Sequence, residues 1–443
     1  MKKPRSLPAF RDLVDRYSKS LDKILRGTAT TEDGRYLHFD EVRHRDPPAG
    51  LNHEEWWLGM KIARHAGAKP LPLTDTRGMP FHYVLTPGMH EALHIIDSKA
   101  AGRIAMPEQV TTPGPRERFL VSSLVEEAIT SSQLEGASTT RAAALDMIRF
   151  GRSPANKSER MIFNNYEAMA FIREHQRDRL TPDLVLQLHR LLTTGTLSED
   201  AVGRVQTPAD ERIHVGSNVT GEVLHTPPPA DQLEERLTRL CNFANAQDSK
   251  EFLHPVIRAI VLHLWLGYDH PFEDGNGRVA RALFYWAMLH QGYWLFAFIS
   301  ISAILKDAQA QYARSYLYTE TDENDATYFI LYQLDVITRA LHAAERYLEK
   351  KSRQTAEAEQ ALRDEGEFNY RQLALLSQAL RKPYAEYTVK SHQMSHKVAY
   401  ATSRADLLDL VARGLLDELH PKGARGVIYR PSKALVSMVR SPR

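Results

Sequence analysis

The sequence predicts a mainly α-helical protein, with one small β-hairpin flap set into a helical core and a C-terminal unit of three helices and a hairpin. Three observations carry this expectation. An apolar helical run with Ile257, Ile260, Val261, Leu264 and Leu266 enters a polar, Gly-rich turn. A second run, with Ala280, Leu283, Phe284 and Trp286, leaves it. Residues 203–229 differ from the rest: they are rich in Val, Thr, Gly and Asn, with turn formers at Pro208-Ala209-Asp210 and Ser217-Asn218, and end at Pro227–Pro229.

The first 27 residues read as a helix ending near Gly27, followed by a Gly/Thr/Asp turn and a short strand at YLHF. Asn52 caps a helix carrying Trp56, Trp57, Met60 and Ile62, whose tryptophans read as core anchors. LPLTDTRGMPF reads as loop, and Pro87 to Asp97 as a helix. TTPGPRER (111–118) breaks the chain before a long helix from Arg118 to about Ser132, which ends at Gly136. Helices follow over 140–150, 164–174, 182–192 and 230–245. After the Gly-rich turn they continue to about Ala356. The charged EKKSRQTAEAEQALRDEGE reads as a solvated helix or linker. In the last ~80 residues, helices around Leu376, at Thr388–Met394 and at Val398–Arg413 precede strands at Leu415–Leu419 and Val427–Tyr429 around Pro421-Lys422-Gly423. This is the order of a winged helix-turn-helix. The expected division is 1–117, an N-terminal helical extension; 118–350, the core; 351–365, a linker; and 366–443, the winged helix.

Bulk properties narrow the function classes. The chain has 443 residues, 43% apolar and 25% charged, as in ordinary globular proteins of two to four domains. A single cysteine, Cys241, excludes an internal disulfide framework and fits a reducing compartment. The basic N-terminus lacks an apolar secretory core, and no stretch approaches the ~20 apolar residues of a membrane span. A cytoplasmic protein with no membrane partner is expected. Net charge is only +2, so whole-chain charge gives no case for nucleic acid. Residues 381–443 carry 12 Lys/Arg against 5 Asp/Glu, however, a local +7.

The central turn is His270-Pro271-Phe272-Glu273-Asp274-Gly275-Asn276-Gly277-Arg278-Val279-Ala280-Arg281. A helix starting after two glycines presents unpaired N–H groups and a positive dipole end, a cradle for phosphate. A merely capped helix with a polar loop needs no histidine, acid and arginine pair around three consecutive turn formers.

These twelve residues resemble, without a gap, the signature HPFx[DE]GNGRxxR of the Fic family, at all nine fixed positions. NNYEAM (164–169), LVLQLHRLL (184–192), LHPVIRAIVLHLWL and the END-A-T segment around Asp325 and Thr327 are similar to the family's core and pocket-closing segments, so the resemblance spans roughly 118–350. It implies a Fic-type helical core and transfer of AMP from ATP to a Ser, Thr or Tyr hydroxyl of a protein. His270 is then the base, a role imidazole suits because its pKa lies near neutrality. Asp274 holds Mg²⁺ through oxygen. Gly275, Asn276 and Gly277 meet phosphate oxygens through backbone N–H, Arg278 contacts the phosphate chain, and Arg281 holds the γ-phosphate. Tyr312 stands where the family often has a nucleotide-pocket tyrosine, with Ala313 in place of its usual tyrosine neighbour. Glu273 falls on the variable position.

Ser131-Ser132-Gln133-Leu134-Glu135-Gly136 resembles the family's inhibitory helix, [ST]xxxE[GN]. The resemblance implies that Ser131, Glu135 and Gly136 form a brake, with Glu135 pairing Arg281. In some members the same glutamate supports removal of AMP. The segment ending IHVGS is similar to the family flap, which implies that Ile213, His214 and Val215 dock an extended target segment by strand addition. His214 and His225 otherwise read as surface or structural histidines. The implied partners are ATP, a protein substrate, self-modification and a homodimer, with Mg²⁺ as cofactor.

Two other readings stand beside this one. A nucleotide-sensing transcriptional regulator would use residues 366–443 on DNA, with Arg404 on its third helix, His396-Lys397 just before that helix, and Lys422 and Arg425 in its wing. A zinc protease would use the literal HExxH of His90, Glu91 and His94, with Asp97 one turn on.

Overall fold

The computed structural model describes residues 3–5, 9–101, 113–150, 152–216, 221–246, 252–364, 367–383, 385–420 and 427–438. The chain divides into two compact units, one of residues 1–102 with 122–341, the other of 103–121 with 342–443.

The first unit is helical with two small hairpins. It opens with α1 (Phe10–Arg16), α2 (Leu21–Ile24), α3 (Phe39–Val42) and α4 (His53–Gly67). The single N-terminal helix expected from the sequence is broken at Tyr17, where φ −106° and ψ 17° leave the helical region. The YLHF strand is likewise replaced by coil and the single turn of α3, capped by His38. Asn52 caps α4 in a reciprocal box with Glu55, and Trp57 is buried with Leu13, Ile24 and Leu58. The stretch LPLTDTRGMPF, expected as loop, is an antiparallel hairpin of β1 (Ala68–Thr74) and β2 (Pro80–Val84). A two-stranded hairpin has no central strand, so Pro70 and Pro72 interrupt no inner ladder. Asp75 closes its turn by accepting from the N–H groups of Arg77 and Met79.

Next come α5 (Pro87–Ile96), α6 (Pro113–Leu134), α7 (Arg141–Phe150), α8 (Lys157–Glu174) and α9 (Pro182–Thr193). Of the breaker expected at 111–118, residues 113–118 are instead the start of α6, and Thr111 and Thr112 lie outside the described residues. Proline suits the start of a helix, where the missing N–H costs nothing. The flap is β3 (Val215–Gly216) paired with β4 (Val223–His225), and the turn at Ser217-Asn218 lies outside the described residues. α10 (Leu233–Ala244) leads to the central pair, α11 (Pro255–Asp269) and α12 (Asn276–His290).

Nearly every residue of α11 and α12 is buried, including Trp265, Phe284, Tyr285 and Trp286. A helix that is apolar on all sides must sit in the middle of a bundle. Burying each such aromatic contributes ~1.5–3 kcal/mol. α13 (Ile301–Asp307) and α14 (Gln309–Thr321) follow, then α15 (Thr327–Asp364), of which residues 327–341 belong to the first unit. The stretch expected as a linker, 351–365, is the end of α15 through Asp364.

The second unit contains α16 (Tyr370–Arg381), α17 (Val389–His396), α18 (Tyr400–Ala412), the hairpin β5 (Leu416–Leu419) and β6 (Ile428–Pro431), and α19 (Lys433–Met438). Leu375, Leu376, Leu407, Leu410 and Tyr429 form its core, joined by Ala358 and Leu362 of α15. Asp406 ties the three helices together through Arg371, Asn369 and His392. Tyr387 adds a one-residue third strand beside the hairpin, exchanging both backbone hydrogen bonds with Tyr429. Lys422, Arg425 and the turn they flank lie outside the described residues. Among the described residues, no helix is long and apolar enough to cross a membrane.

Candidate functional site

The site is built where α11 stops and α12 starts. α11 ends because Pro271 disfavours helical backbone in the residue before it. His270 turns into the left-handed region, φ 45° and ψ 54°, a conformation a non-glycine residue keeps only when its surroundings impose it. Its Nδ1–H points at the Gly267 carbonyl at 3.4 Å, which leaves the lone pair on Nε2. Burial, then the neighbouring His225 and Arg212, push its pKa from 6.5 to about 4, so the ring is neutral at pH 7.

The turn is fastened from within. Phe272 is fully buried and stacks on His189, ring centroids 3.9 Å apart. The Asn276 side chain accepts from Phe272 N–H at 2.9 Å and donates to Phe272 O at 2.8 Å. It therefore closes the loop and leaves only its backbone for a ligand. His189 accepts from Gly203 N–H on Nδ1 and donates from Nε2 to Asp274 O, 3.0 Å each. Burial holds its pKa down to about 4, which suits that single tautomer. Gly275, at φ 88°, is the residue before α12. A side chain there would meet Thr193 Cγ2 at 3.0 Å.

Asp274 accepts from Gly275 N–H at 2.6 Å and from Arg278 Nη2 at 3.3 Å, and its side chain is half-exposed. One half-exposed carboxylate beside a helix-start anion cradle is a donor set that fits Mg²⁺, which takes one or two carboxylates and completes its shell with phosphate and water oxygens. Arg278, expected on the phosphate chain, is wholly buried here. It donates to Leu192 O at 2.8 Å, while its Nε has no partner. The next arginine on that face, Arg281, is 2% exposed. It donates from Nε to Ser131 Oγ at 2.9 Å, and from Nη2 to Ser131 O at 3.0 Å and Glu135 Oε1 at 2.8 Å. Burial alone would lower its pKa; the Glu135 carboxylate offsets this and leaves it raised.

Glu135 reaches Arg281 because α6 ends where it does. Gly136, at φ 91°, and Ala137 donate back to Gln133 O and Ser132 O, a left-handed cap that glycine adopts readily. The carboxylate then lies over Gly277 at the start of α12. A Cβ on Gly277 would come within 2.3 Å of Glu135 Oε1. Two turns earlier, Glu127 is buried, a residue the sequence reading gave no role. It accepts from Tyr285 OH at 2.8 Å, Ser300 Oγ at 2.8 Å, Ser302 N–H at 3.1 Å and Ser302 Oγ. Glu127, Ser131 and Glu135 are four apart on α6, and Arg281 and Tyr285 four apart on α12. That i, i+4 acid spacing was the available signal.

Tyr312 stands behind Arg281, with its OH 2.7 Å from His263 Nε2. Burial and Arg281 lower the His263 pKa to about 3. In the flap, Ile213 is 36% exposed, His214 exposed and Val215 half-buried. His225 is buried between Tyr268 O and Glu320, 2.7 Å from each. Far from this site, His90, Glu91 and His94 lie exposed on α5, and Asp97 is engaged by His254 and Tyr293. Among the described residues, no three His, Cys, Asp or Glu side chains are placed to hold a metal.

The helical core, its paired central helices and this turn define a Fic-type fold. Residues 179–288 match the model of the Fic/DOC family. It is similar to the protein adenylyltransferase Fic of Nematostella vectensis, 24% identical over 185 residues, 40% of each chain. It is also similar to the protein adenylyltransferase fic-1 of Caenorhabditis elegans, 30% identical over 118 residues, 27% of this chain and 21% of that one. The chain thus spans less than half the length of these curated relatives. A Fic family protein from Desulfovibrio desulfuricans G20 shares the fold, with a TM-score of 0.52 at 19% identity, over 79% of this chain and 98% of that one.

Proposed function

We propose that this protein transfers AMP from ATP to a Ser, Thr or Tyr hydroxyl of a target protein, itself included, under restraint by Glu135. The observation that carries the reading is the neutral His270, its Nε2 lone pair unclaimed, at the mouth of a helix-start anion cradle. The target hydroxyl gives its proton to Nε2 as its oxygen attacks the α-phosphorus. The bond from that phosphorus to the bridging oxygen breaks, and pyrophosphate leaves. A histidine held near pKa 4 is a weak base, and optimal proton transfer needs a value closer to the working pH. The negative charge of a bound triphosphate raises it. The first turn of α12, with Gly277 leaving room for close approach, faces the phosphate oxygens. Mg²⁺ held by Asp274 would neutralise charge between the α- and β-phosphates. Arg281 receives the γ-phosphate once Glu135 has left it.

The test is incubation with α-labelled ATP of wild type, Glu135→Gly and His270→Ala. The expected result is strong label in Glu135→Gly, weak label in wild type and none in His270→Ala. Label in His270→Ala overturns the assignment of the base.

A second reading concerns residues 366–443, whose order of three helices and a hairpin supports a winged helix. Lys390, Lys397 and Arg404 are exposed on α17, α18 and the turn between them. Such a face suits DNA phosphates, whose contacts weaken steeply with salt. Filter binding of duplex DNA at 50 and 200 mM salt tests it, and salt-insensitive retention or none removes it.

A further inference from the structure

The last turn of any α-helix leaves carbonyls without an N–H partner. At the end of α11 these belong to Gly267, which faces His270 Nδ1, and to Tyr268, Asp269 and His270, and the flap segment satisfies the last three as well as Pro271 just beyond. His225 Nε2 donates to Tyr268 O at 2.7 Å. Arg212 donates from Nη2 to Asp269 O at 2.6 Å and from Nη1 to His270 O at 2.8 Å. Gln206 N–H donates to Pro271 O at 2.8 Å. Arg212 is the centre of this arrangement. Its Nε also donates to Pro228 O at 2.9 Å, on the far side of the hairpin, and its Nη1 meets Gln206 Oε1. One guanidinium thus ties both limbs of the flap to the backbone of His270 itself. The planar fork suits two adjacent carbonyls in a way that a lysine ammonium cannot reproduce. The positive charge at a helix C-terminus also complements the dipole.

We propose that Arg212 is a positioning residue, latching the flap to the end of the histidine's helix so that the target-docking edge at 213–215 and His270 move as one body. The inference rests on the AMP-transfer reading for its catalytic consequence, but the latch itself has a readout independent of activity. Ile213 directly follows Arg212, so strand addition along the flap places a target hydroxyl at a distance from Nε2 that Arg212 fixes. Without it, the flap and the left-handed His270 backbone lose the restraint they share.

The experiment takes Glu135→Gly as parent and adds Arg212→Met or Arg212→Lys. Amide exchange at 213–216 and 223–225 should accelerate at least ~10-fold in Arg212→Met, while residues 256–266 of α11 stay protected. Self-modification with α-labelled ATP should fall by roughly 100-fold, the scale of a small misplacement of reacting groups, with the Kd for ATP within about twofold of the parent. The charged groups facing His270 are Arg212 and His225 from the flap and Glu135 from α6, the last absent in this parent. Losing the Arg212 charge should therefore move the acid limb of the rate profile upward in pH. Arg212→Lys should return that limb to its parental position but recover the rate only in part. Should Arg212→Met fail to fold, Arg212→Lys carries the test through its accelerated flap exchange and incomplete rate. Unchanged flap exchange in folded variants overturns the latch. Loosened flaps with undiminished labelling overturn its role in positioning. A parent that folds and binds ATP but transfers no label refutes the AMP-transfer reading instead, and exchange still judges the latch.

Discussion

Two carboxylates of α6 meet α12 one turn apart, and they differ in almost everything but their charge. Glu127 is 2% exposed and accepts from Tyr285, Ser300 and Ser302, so its surroundings leave it no alternative arrangement. The Glu135 side chain is 27% exposed, sits on the last residue before a glycine cap, and shares Arg281 with Ser131. A buried acid with a full set of donors is costly to disturb, whereas one at a helix end beside solvent can leave and be rehydrated. The same helix therefore carries a fixed anchor and, on the proposed mechanism, a movable brake, separated by two turns.

The largest effect of any single substitution should come from the anchor. Glu127→Ala leaves the Tyr285 hydroxyl only Ile299 O at 3.3 Å and strips the Ser302 groups of their acceptor, and should lower stability by ~3 kcal/mol or more, at ~1–3 kcal/mol per buried group left unpaired, read as a fall in Tm. If Glu127→Ala instead raises labelling with Tm intact, the two acids are not distinct. Glu135→Gly should do the reverse: Tm nearly unchanged and self-labelling up by roughly 100-fold, equivalent to about 2.7 kcal/mol released from the Arg281 contact.

Acidification tests the rigid frame rather than the brake. His38, His189 and His270 are held at about 4, and His263 at about 3, all chiefly by burial. The unfolded chain takes up these protons near pH 6.5 and the folded one only near 4. Stability should therefore be full above about pH 6.5 and decline towards pH 4, by up to ~1.4 kcal/mol per pH unit for each histidine. A Tm flat over that interval removes the neutral assignments. The smallest effect belongs to Ser131→Ala. It deletes one of several acceptors around Arg281, worth ~1 kcal/mol, and should raise labelling about fivefold.

Much of this arrangement was legible because it rests on local chemistry. The His270–Arg281 turn announces itself by residue types at fixed spacing, and Gly136 marks the end of α6. The meeting of Glu135 with Arg281, 146 residues away, followed from the family resemblance and is present in the geometry. What escaped depends on partners far along the chain. Arg212 looks like an ordinary loop arginine until α11 ends against it. Glu127 looks like half of a surface Glu-Glu pair until Ser300 and Ser302 arrive 175 residues later. The prolines at 72 and 80 suggested loop, because sequence alone does not say that the hairpin has no inner strand.

The closeness of Glu135 to Gly277 has a kinetic consequence. Where a carboxylate lies 2.3 Å from the position of an added methyl, no phosphate oxygen can share that volume. On the proposed mechanism Glu135 then acts as a tethered competitor of the nucleotide, whose strength is an effective molarity rather than an amount. Dilution would not remove such a competitor, and on that mechanism ATP would displace it only by exceeding a local concentration that tethering sets in the millimolar range or above.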